Sequence, residues 1–414
     1  MGATVHSKLL SFSDARHLVE EYASTVSATS AEMLPLLDAN GLVLAEELRA
    51  DRDFPPFPRS TRDGFAVRAA DVAGTPARLR CIAEIRAGAT VDESSIVVGQ
   101  SECAEIMTGA PVPEGANAVV MVEHTERSGE SVILQRSVVP GENVVLQGSE
   151  ARQGATMVAP GVRVNHTITA IAAAIGRPEI AVHRRPRVAI LATGDEVVDV
   201  NLRPRPNEIR NSNSYSLAAQ VQLAGGEPMI LPVARDEADD LALLLRKGLE
   251  ADLLLITGGV SMGKYDLVEQ VLASFEASFF FTGAKIQPGK PVVFGECKSA
   301  EKVTPFFGLP GNPVSTMVTF QLFVRPLLDG LSGSKPQPLP FAQAALKSEF
   351  TTRTGLTRFL PARLLGSNQK PEVEVIRWQG SGDLMAASQA NCYLVVPPER
   401  ERFSAGETMT ILLL

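Results

Sequence analysis

An alternation of short apolar strands with helices over residues 186–331 restricts the fold of this chain more than any other feature. Strands are predicted at 187–193 (RVAILAT), 228–234, 252–257 (DLLLIT) and 304–309 (TPFFGL). Helices are predicted from about 211–214 to 225–226, from 236, at 265–275 and from 313 to about 328. Near-continuous apolar runs are typical of strands buried on both faces. The alternation therefore predicts an α/β domain built on a doubly wound, mostly parallel sheet.

The sequence patterns outside 186–331 differ from this alternation and predict further domains. Residues 54–145 hold short β-rich runs between proline and glycine turns, which are typical of a small all-β unit. An alanine-rich helix is predicted at 166–175, whereas 31–50 fits either a hairpin or a helix. Residues 332–340 (SGSKPQPLP) are predicted to link to a small C-terminal β domain at 340–414.

Charge and cysteine content argue against several functional classes. The 414 residues carry a net charge of −8, and the basic residues are mixed with acidic ones rather than forming a stripe. We therefore expect no binding to nucleic acid or to an anionic membrane surface. The four cysteines form no C-x-x-C pair, which favours reduced thiols over a disulfide framework or a zinc site. No secretory signal or membrane-length apolar run is found, so a cytoplasmic location is expected.

Three glycine-containing loops leave the predicted carboxyl ends of strands, where open α/β sheets bind their ligands. They are 193–196 (TGDE), 257–266 (TGGVSMGKYD) and 308–315 (GLPGNPVS), called here the first, second and third glycine loops. Glycine lets backbone N–H groups approach an anion, and Asn312 as an N-cap before Pro313 would place a helix N-terminus there. One such loop can be an ordinary turn, but three at one sheet edge favour a phosphate-bearing ligand.

The second glycine loop nearly matches a P-loop, G-x-x-x-x-G-K, through Gly258, Gly263 and Lys264. The next residue is Tyr265, where a P-loop needs a serine or threonine hydroxyl for magnesium. We therefore interpret the match as accidental. The dinucleotide fingerprint G-x-G-x-x-G is also absent from this block.

Carboxylates accompany the three loops, namely Asp195, Glu196, Asp236 and Asp266. Carboxylates repel phosphate groups unless a cation lies between them, and Mg²⁺ commonly binds one or two carboxylates together with phosphate oxygens. For Asp236 alone, a helix N-cap is the favoured interpretation. Taken as a set, the acids favour a metal–phosphate site.

Three further segments carry polar candidates with ordinary alternatives. Lys290 lies in the proline-stiffened segment 283–291 (GAKIQPGKP), where it either contacts an oxyanion or is simply solvated. Asp63 and Thr108 lie in the loops 60–66 (STRDGFA) and 106–111 (IMTGAP) of the β-rich region. A turn or a cap explains these two residues as well as a catalytic role does.

Several segments in order along the chain resemble the molybdopterin molybdenumtransferase family, which includes the E domain of gephyrin. The resemblance runs from about residue 10 to 413. The motifs are RDGFAVR (62–68), IMTGAPVPEGANAVV (106–120), LATGDEVV (191–198), IRNSNSYSLAA (209–219), ITGGVSMGKYDLV (256–268), PGKP (288–291) and FGLPGNPVSTMVTFQLFVRP (307–326). So many motifs in one order make chance agreement untenable.

The resemblance implies a four-domain fold and a reaction. The first domain would be discontinuous, formed by 10–53 and 146–185, with 54–145 as a β-rich insertion. Residues 186–331 would form the molybdopterin-binding domain and 340–414 a small C-terminal β-barrel. Family members are elongated homodimers. They convert adenylyl-molybdopterin and molybdate to molybdenum cofactor and AMP, assisted by Mg²⁺.

The resemblance also implies roles for residues of this chain. Asp63, Thr108, Glu196, Asp236 and Asp266 would be catalytic, with the last three as magnesium ligands and the first two reaching a shared cleft from the partner subunit. The segment Pro288, Gly289, Lys290 and Pro291 would face molybdate. The pterin phosphate and adenylate would be held by Thr193, Gly194, Asp195, Asn213, Ser214, Thr257, Gly258, Gly259, Ser261, Gly263, Pro310, Gly311, Asn312, Pro313 and Ser315.

The chain departs from the usual family pattern at several positions. Lys264 replaces a frequent acid, Gln287 a frequent lysine and Glu150 the usual aspartate, while Pro361 replaces a frequent arginine and Met385-Ala386 lie where serine is common. The last two positions bear on the handling of molybdate. Two alternatives remain at this point: a non-catalytic scaffold of the same fold, since the E domain of gephyrin also clusters receptors, and an enzyme that inserts tungstate, an oxyanion of the same shape as molybdate.

Overall fold

The computed structural model describes residues 9–88, 96–259, 267–299, 302–367 and 369–414. Its centre is a six-stranded sheet. The strand order across this sheet is Glu227–Ile230, Arg187–Ala192, Leu253–Thr257, Val303–Leu309, Val293–Lys298 and Ala277–Phe281. The first four strands are parallel, and Val293–Lys298 runs antiparallel to both of its neighbours. The predicted α/β class with a mostly parallel sheet is confirmed.

Both faces of this sheet are buried, which explains the near-continuous apolar strands. In the strand Arg187–Ala192, Val188 and Ile190 pack into one core, and Ala189 and Leu191 pack into the core on the opposite face. Alternate residues of a strand point to opposite faces, so a strand with helices on both sides needs apolar residues at every position. The helices are Ser212–Leu223, Ala238–Gly248, Leu267–Ala273, Pro313–Thr319 and Arg325–Leu331, the last two joined by a π-helical turn at Phe320–Val324.

The strand predicted at 228–234 is shorter than expected and lies at the sheet edge as Glu227–Ile230. Pro232 has no N–H group with which to continue the ladder, whereas Pro228 is tolerated because the strand has a neighbour on one side only. The following helix begins at Ala238 rather than at 236. The other three predicted strands lie within one or two residues of their predicted positions, whereas Ala277–Phe281 and Val293–Lys298 were not predicted.

The first helix, Phe12–Thr25, packs against the α/β domain. Its Ala15, Val19 and Ala23 belong to the main core of that domain, and the helix lies along Arg325–Leu331. Arg16 is buried and donates from Nη1 to the carbonyl oxygen of Leu322 at 2.6 Å, inside the π-helical turn. The helix thus differs from the expectation that all of 10–53 packs with 146–185, because its apolar face matches the surface of the C-terminal α/β helices.

Replacing Gly330 by alanine tests this helix contact. A Cβ atom at Gly330 would lie far inside contact distance of the carbonyl oxygen of Ala23 in the first helix. We expect Gly330→Ala to destabilise the chain by roughly 1–3 kcal/mol, as overpacking does, measured as a fall in Tm and faster amide exchange in Phe12–Thr25. Gly74→Ala is the control, since a Cβ there meets nothing within 4 Å; equal Tm values for both variants would contradict the proposed close packing.

Strand pairing joins the two chain segments that flank the β-rich insertion. Ala31–Pro35 and Val43–Leu44 both pair with Glu179–His183, so 31–50 forms strands that do not pair with each other as a hairpin. The predicted helix is found at His166–Ala174, with Asn165 as its N-cap. The insertion itself forms a six-stranded sheet ordered Thr125–Ser128, Ser131–Leu134, Ala77–Ile85, Glu102–Ile106, Gly64–Val67 and Ala118–Met121.

The C-terminal region is a small β-barrel, as predicted. Its strands are Phe341–Leu346, Thr357–Ser367, Lys370–Val375, Cys392–Val396 and Thr408–Leu413, followed in the same sheet by Ile286–Gln287 of the α/β domain. Pairing of Thr357–Ser367 with Cys392–Val396 closes the barrel. Ile286 and Gln287 pair in parallel with Thr357 and Arg358, which fixes the barrel beside the segment 283–291.

The remaining elements are short. They are the strand pairs Leu9–Leu10 with Gly283–Ala284, Arg59–Ser60 with Val144–Val145, Leu48–Arg49 with Thr156–Val158, Val197–Val198 with Ile209–Arg210 and Phe350–Thr351 with Arg402–Phe403. The helix Leu384–Ala387 and the 3-10 helices Ala69–Val72 and Val122–His124 complete the set of described elements. Within the described ranges, no helix combines the length and the apolar character needed to cross a membrane.

Candidate active site

A cavity of about 630 Å³ lies at the carboxyl ends of the central parallel strands. We call it the first cavity. All three glycine loops contribute to its wall, as the chain order of the strands predicts. Its lining comprises Ala192, Thr193, Glu196, Val197, Ile209, Arg210, Asn211, Ser212, Asn213, Thr257, Gly258, Gly259, Pro291, Pro310, Gly311, Asn312, Pro313 and Gly382.

Glycine is required where the loops approach one another. Gly258 has φ +89°, and a Cβ atom on it would clash with the carbonyl oxygen of Thr193. A Cβ on Gly259 would lie 2.7 Å from the Thr193 hydroxyl oxygen, whereas a Cβ on Gly311 would make only an ordinary contact of 3.7 Å with the Cα of Gly258. Positive φ and close backbone approach are the two situations that exclude larger residues. The first and second loops therefore pack directly together, and the third lies against the second.

Asn213 ties the second and third loops together. Its Nδ2 donates to the hydroxyl oxygen of Thr257 at 2.9 Å and to the carbonyl oxygen of Gly311 at 2.7 Å. A carbonyl oxygen can only accept, so these bonds fix the orientation of the Asn213 amide. Thr257 in turn donates to the carbonyl oxygen of Pro310 at 3.3 Å. The cavity wall is thus held by a connected set of polar contacts.

Two polar atoms of this wall have no partner. The hydroxyl oxygen of Thr193 and the Oδ1 atom of Asn213 are buried and form no hydrogen bond within the described part of the chain. A buried polar group without a partner costs about 1–3 kcal/mol, so such groups are rare and call for an explanation. Both residues line the first cavity. A ligand with hydrogen-bonding groups would satisfy them.

The helix Ser212–Leu223 begins at the cavity. Asn211 is its N-cap and accepts a hydrogen bond from the N–H of Ser214 at 3.0 Å, as the sequence predicts for a helix opening at 211–214. Ser214 is fully buried, and its hydroxyl oxygen accepts from Asn211 Nδ2 at 2.9 Å. Ser214 therefore lies behind the lining and supports Asn211. Arg210 brings a cationic side chain to the cavity.

The acids of the first loop lie next to Asp236. The N–H of Asp236 donates to Asp195 Oδ1 at 3.2 Å. Partial burial, followed by the negative charges of Asp195 and Glu196, raises the pKa of Asp236 above its ordinary value. The N-cap interpretation of Asp236 is wrong, because Glu237 occupies that position of the helix Ala238–Gly248 and no side chain caps it. Asp236 lies two residues before the first residue of the helix, so its carboxylate does not cap the helix.

This arrangement fits a divalent cation. Like charges raise the pKa of Asp236, and a cation between these carboxylates would remove that repulsion. Glu196 lines the cavity, while Asp195 and Asp236 lie outside its lining. Among the residues that the structure describes, no three acidic, histidine or cysteine side chains already converge as a preformed metal site. Asp266, together with Ser261, Gly263 and Lys264, lies outside the described residues.

A second cavity of about 340 Å³ adjoins the first, and Pro291, Pro310 and Asn312 line both. We call it the second cavity. Pro288, Gly289, Lys290 and Ser315 line it from the α/β domain, and Leu356, Trp378, Gly380 and Ser381 line it from the C-terminal barrel. The exposed ammonium group of Lys290 forms no ion pair with a described residue. The two cavities form one cleft that continues from the sheet edge to the barrel.

Asp63 and Thr108 are brought together, but not at this cleft. Thr108 donates to Asp63 Oδ1 from its backbone N–H at 2.6 Å and from its hydroxyl at 2.9 Å. Both hydrogen bonds lower the pKa of Asp63 below its ordinary range, and the bond from the Thr108 backbone has the larger effect. Both residues are exposed on the β-rich insertion and line neither cavity of their own chain. Gly194 likewise stays outside the lining; it has φ +131°, and the absence of a Cβ atom leaves room for the Glu196 carboxylate.

Several lining residues were not singled out from the sequence. Ile209 and Arg210 form the short strand that pairs with Val197–Val198, and Ser212 follows it. Trp378, Gly380, Ser381 and Gly382 come from the C-terminal domain. The motif 209–219 (IRNSNSYSLAA) was the available signal for the first group. The second group carries no local signal, since it reaches the cleft only through the contact between two domains.

Comparison with known proteins agrees with this architecture over nearly the whole chain. Three family descriptions match: the MoeA N-terminal region (domain I and II) at residues 10–176, a probable molybdopterin binding domain at 189–330 and the MoeA C-terminal region (domain IV) at 343–414. The molybdopterin molybdenumtransferase of Bacillus subtilis is 33% identical over 393 residues, which cover 92% of this chain and 90% of that protein.

Other relatives give the same result. A protein of the same name from a Nostoc species is 33% identical over 395 residues, covering 94% of this chain and 90% of its own length. The crystal structure of the molybdopterin biosynthesis moeA protein from Pyrococcus horikoshii OT3 is similar with a TM-score of 0.79 and 29% identity, covering 98% of this chain and 100% of that chain.

Proposed function

Because this chain belongs to the molybdopterin molybdenumtransferase family and is a transferase of molybdenum cofactor biosynthesis, we propose that it uses adenylyl-molybdopterin and molybdate and releases AMP. Molybdenum insertion into molybdopterin is the function that its relatives carry in their name. The nature of the activated substrate, the metal and the assembly are the parts that we add. The substrate and the metal rest on features of the first and second cavities, and the assembly rests on Asp63 and Thr108 of the β-rich insertion.

The unsatisfied atoms of the first cavity carry this proposal. Asn213 Oδ1 can only accept, and the Thr193 hydroxyl can donate as well as accept. A pterin ring presents N–H and amino donors beside carbonyl and ring-nitrogen acceptors, so it can satisfy both atoms. A volume of about 630 Å³ also suits one ligand of cofactor size.

Phosphate groups would be held by the loops and the helix start. The helix Ser212–Leu223 has 12 residues, and its first residues line the cavity. A helix N-terminus favours negative charge, and glycine loops expose backbone N–H groups to it. Arg210 adds a full positive charge at the same wall. We assign the phosphate and adenylate to this part of the first cavity.

Mg²⁺ is the cation that we assign to Glu196, Asp236 and Asp266. Bound there, Mg²⁺ would neutralise negative charge on the phosphoanhydride and make cleavage easier. Glu196 lines the cavity. Asp236 lies outside the lining, where its N–H donates to Asp195 Oδ1. The raised pKa of Asp236 means that protons compete with the cation as the pH falls toward that pKa.

Molybdate is assigned to the second cavity. Lys290 supplies a positive charge without a carboxylate partner in the described chain, and the neighbouring Gly289 has φ +104°. A dianion needs such cationic and N–H donors in a site with limited water. Because the two cavities share three lining residues, an oxyanion in the second would lie beside a ligand in the first.

We further propose a homodimer in which Asp63 and Thr108 reach the cleft of the partner subunit. Within one chain these residues line neither cavity, yet their mutual hydrogen bonds hold the Asp63 carboxylate in its charged form. A carboxylate organised in this way on an exposed tip is suited to act on a neighbouring molecule. We place the enzyme in the cytoplasm, where its four free cysteines would stay reduced.

An in vitro turnover assay tests the proposed reaction. The full-length protein is incubated with adenylyl-molybdopterin, Mg²⁺ and molybdate, and AMP and protein-bound molybdenum cofactor are quantified together. Release of AMP in step with molybdenum insertion is expected, and tungstate in a parallel reaction measures metal preference. Folded protein that inserts molybdenum without producing AMP would overturn the assignment of the activated substrate.

Replacing Thr257 by valine tests the polar wall of the first cavity. Valine removes the hydroxyl group that accepts from Asn213 and donates to Pro310, while it keeps the shape. We expect binding of molybdopterin to weaken by roughly 5- to 20-fold, the equivalent of one or two lost hydrogen bonds. The single tryptophan, Trp378, lines the adjoining cavity, so quenching of its emission reports binding.

The matched control is Thr304→Val. Thr304 is equally buried and its hydroxyl donates to the carbonyl oxygen of Leu249, away from both cavities. We expect this variant to lose stability but to keep wild-type affinity. Equal affinities for Thr257→Val and Thr304→Val would remove the Asn213 contact from the binding site.

A further inference from the structure

A third cavity, of about 710 Å³, lies on the C-terminal barrel beside the second cavity, with which it shares Gln287 and Leu356. We call it the arginine cavity. Its other lining residues are Thr351, Thr352, Arg353, Thr354 and Arg358. Every residue named here is polar or cationic except Leu356, and none of the described residues that line the cavity is acidic. The proposed active-site cleft does not use these threonines and arginines.

Arg358 is a buried cation without a counter-charge. Only 7% of its surface is exposed. Its Nε and Nη2 atoms donate to the carbonyl oxygen of Arg353 at 3.1 and 3.0 Å, and no described carboxylate lies within ion-pair distance of it. Burial, and then the charge of Arg353, lowers the pKa of Arg358 below its ordinary value. Burying an unpaired charge is costly, so this position favours an anion from outside the chain.

Arg353 adds a second unpaired guanidinium group at the same cavity. Its side chain is exposed and forms neither an ion pair nor a hydrogen bond with a described residue. Two like charges close to each other repel, and an anion between them reverses the sign of that interaction. The pair therefore has an electrostatic reason to bind a dianion.

The frame around the two arginines is fixed by backbone contacts. Arg358 pairs in register with Gln287, and the N–H of Thr357 donates to the carbonyl oxygen of Lys285 at 3.0 Å. Backbone hydrogen bonds hold both ends of the threonine-rich loop. The N–H of Thr352 donates to the carbonyl oxygen of Glu401 at 2.8 Å, and the N–H of Gly355 donates to the carbonyl oxygen of Pro398 at 2.7 Å. A cavity with fixed walls loses little entropy when a small ligand binds.

We propose that the arginine cavity is a second oxyanion site, in which Arg358, Arg353 and the neighbouring threonine hydroxyls bind a tetrahedral dianion before it reaches the second cavity. The guanidinium group can donate two parallel hydrogen bonds to one oxyanion, and threonine hydroxyls can donate to the remaining oxygens. Gln287 and Leu356, which line both cavities, mark the route between them.

Molybdate is the dianion to which we assign the site, and this identity rests on the proposed function. Phosphate and sulfate share the tetrahedral shape and charge, so the chemistry of recognition is the same for all three. The location of the cavity favours molybdate over the other two anions. The cavity opens beside Gln287, next to Lys290, where we propose that molybdate is consumed. The binding site itself stands on Arg353 and Arg358 alone.

Equilibrium binding of labelled molybdate to the full-length protein, without pterin, tests the proposal. We expect Arg358→Gln to weaken binding roughly 10-fold or more, as expected for loss of charge-assisted hydrogen bonds. Arg353→Gln, at an exposed side chain, should weaken it by roughly 3- to 10-fold and keeps the test valid if the buried variant fails to fold. Arg363→Gln is the control, since Arg363 lies on the same strand but lines none of these cavities.

Kinetics separate this site from the proposed reaction. In the turnover assay, Arg353→Gln should raise the KM for molybdate several-fold and leave kcat unchanged, whereas adenylyl-molybdopterin binding stays at the wild-type value. Wild-type molybdate binding by both arginine variants would overturn the site. Strong binding of phosphate or sulfate with exclusion of molybdate would overturn the assignment to molybdate. Absence of AMP release in the wild-type enzyme, by contrast, would count against the proposed reaction and leave the binding result intact.

Discussion

Asp236→Asn is expected to lower the rate of molybdenum insertion by about 100- to 1000-fold, the size of effect that follows when a metal loses a catalytic ligand. The variant should nevertheless be at least as stable as the wild type. Asp236 is exposed, but partial desolvation and the charges of Asp195 and Glu196 raise the pKa of its carboxyl group, so its ionised form is disfavoured in the folded state. A neutral amide removes that repulsion and the metal ligand together.

The pH dependence follows from the same shift. For a carboxyl group with a raised folded pKa, the stabilising contribution is complete below the unfolded pKa and is lost as the pH rises through the folded pKa. Mg²⁺ affinity has the opposite trend, because it needs the ionised carboxylate and falls as the pH drops toward the raised pKa of Asp236. The wild type should therefore need more Mg²⁺ at acidic pH.

Asp239→Asn is the matched control for this experiment. Asp239 lies in the first turn of the same helix, is exposed and lines neither cavity. Both variants are compared by single-turnover AMP release at several Mg²⁺ concentrations and by thermal unfolding. Near wild-type turnover in Asp236→Asn, or a loss of Tm as large as the loss expected for a buried structural acid, would remove Asp236 from the metal site.

Gly258→Ala is expected to weaken binding of molybdopterin by roughly 100-fold, since a shift of about 1 Å in a binding loop can have an effect of that size. Gly258 has φ +89°, and its added methyl group would clash with the backbone oxygen of Thr193. Backbone cannot move aside as a flexible side chain can. The first and second loops would separate, and the unsatisfied oxygen of Thr193 would leave its position in the cavity wall.

The strain of a positive φ must be separated from the clash. Gly176→Ala provides this control, because Gly176 has φ +74° but a Cβ there meets nothing within 4 Å. We expect Gly176→Ala to lose stability with unchanged ligand affinity, whereas Gly258→Ala loses affinity as well. Affinity is followed through Trp378 emission. If the two variants bind molybdopterin equally well, close contact between the loops has no part in binding.

The α/β domain was predictable because its central strands are almost continuously apolar. Val188 and Ile190 pack on one face and Ala189 and Leu191 on the other, so the composition of one strand already requires helices on both sides. The carboxyl ends of parallel strands share one edge, which is why three loops at 193–196, 257–266 and 308–315 could be predicted to meet. This prediction did not depend on the register between the strands, and errors of one or two residues at the strand ends did not change it.

Features that depend on contact between domains could not be predicted in the same way. The first helix has an ordinary amphipathic pattern. Nothing in the sequence of 10–53 indicates that Ala23 packs against Gly330. Trp378 and Ser381 likewise reach the cleft only because Ile286–Gln287 pairs with the barrel. The capping interpretation of Asp236 failed for a local reason, since the helix begins two residues later than the apolar pattern indicates.

The polar details of the site lie beyond sequence patterns altogether. Asn213 was assigned to the ligand by resemblance, but only the bonds to Thr257 and Gly311 show which of its two amide atoms remains for a ligand. Ser214, its neighbour, proved to be buried behind the wall. One position along a helix start therefore decides between a ligand contact and a supporting contact.

A crystal structure of the protein with adenylyl-molybdopterin and Mg²⁺ would examine the proposed site most directly. We predict that the pterin ring lies in the first cavity within hydrogen-bonding distance of Thr193 Oγ1 and Asn213 Oδ1, with the diphosphate facing Glu196. Density for the pterin elsewhere on the chain, with both of these atoms still unpartnered or bridged only by water, would contradict it.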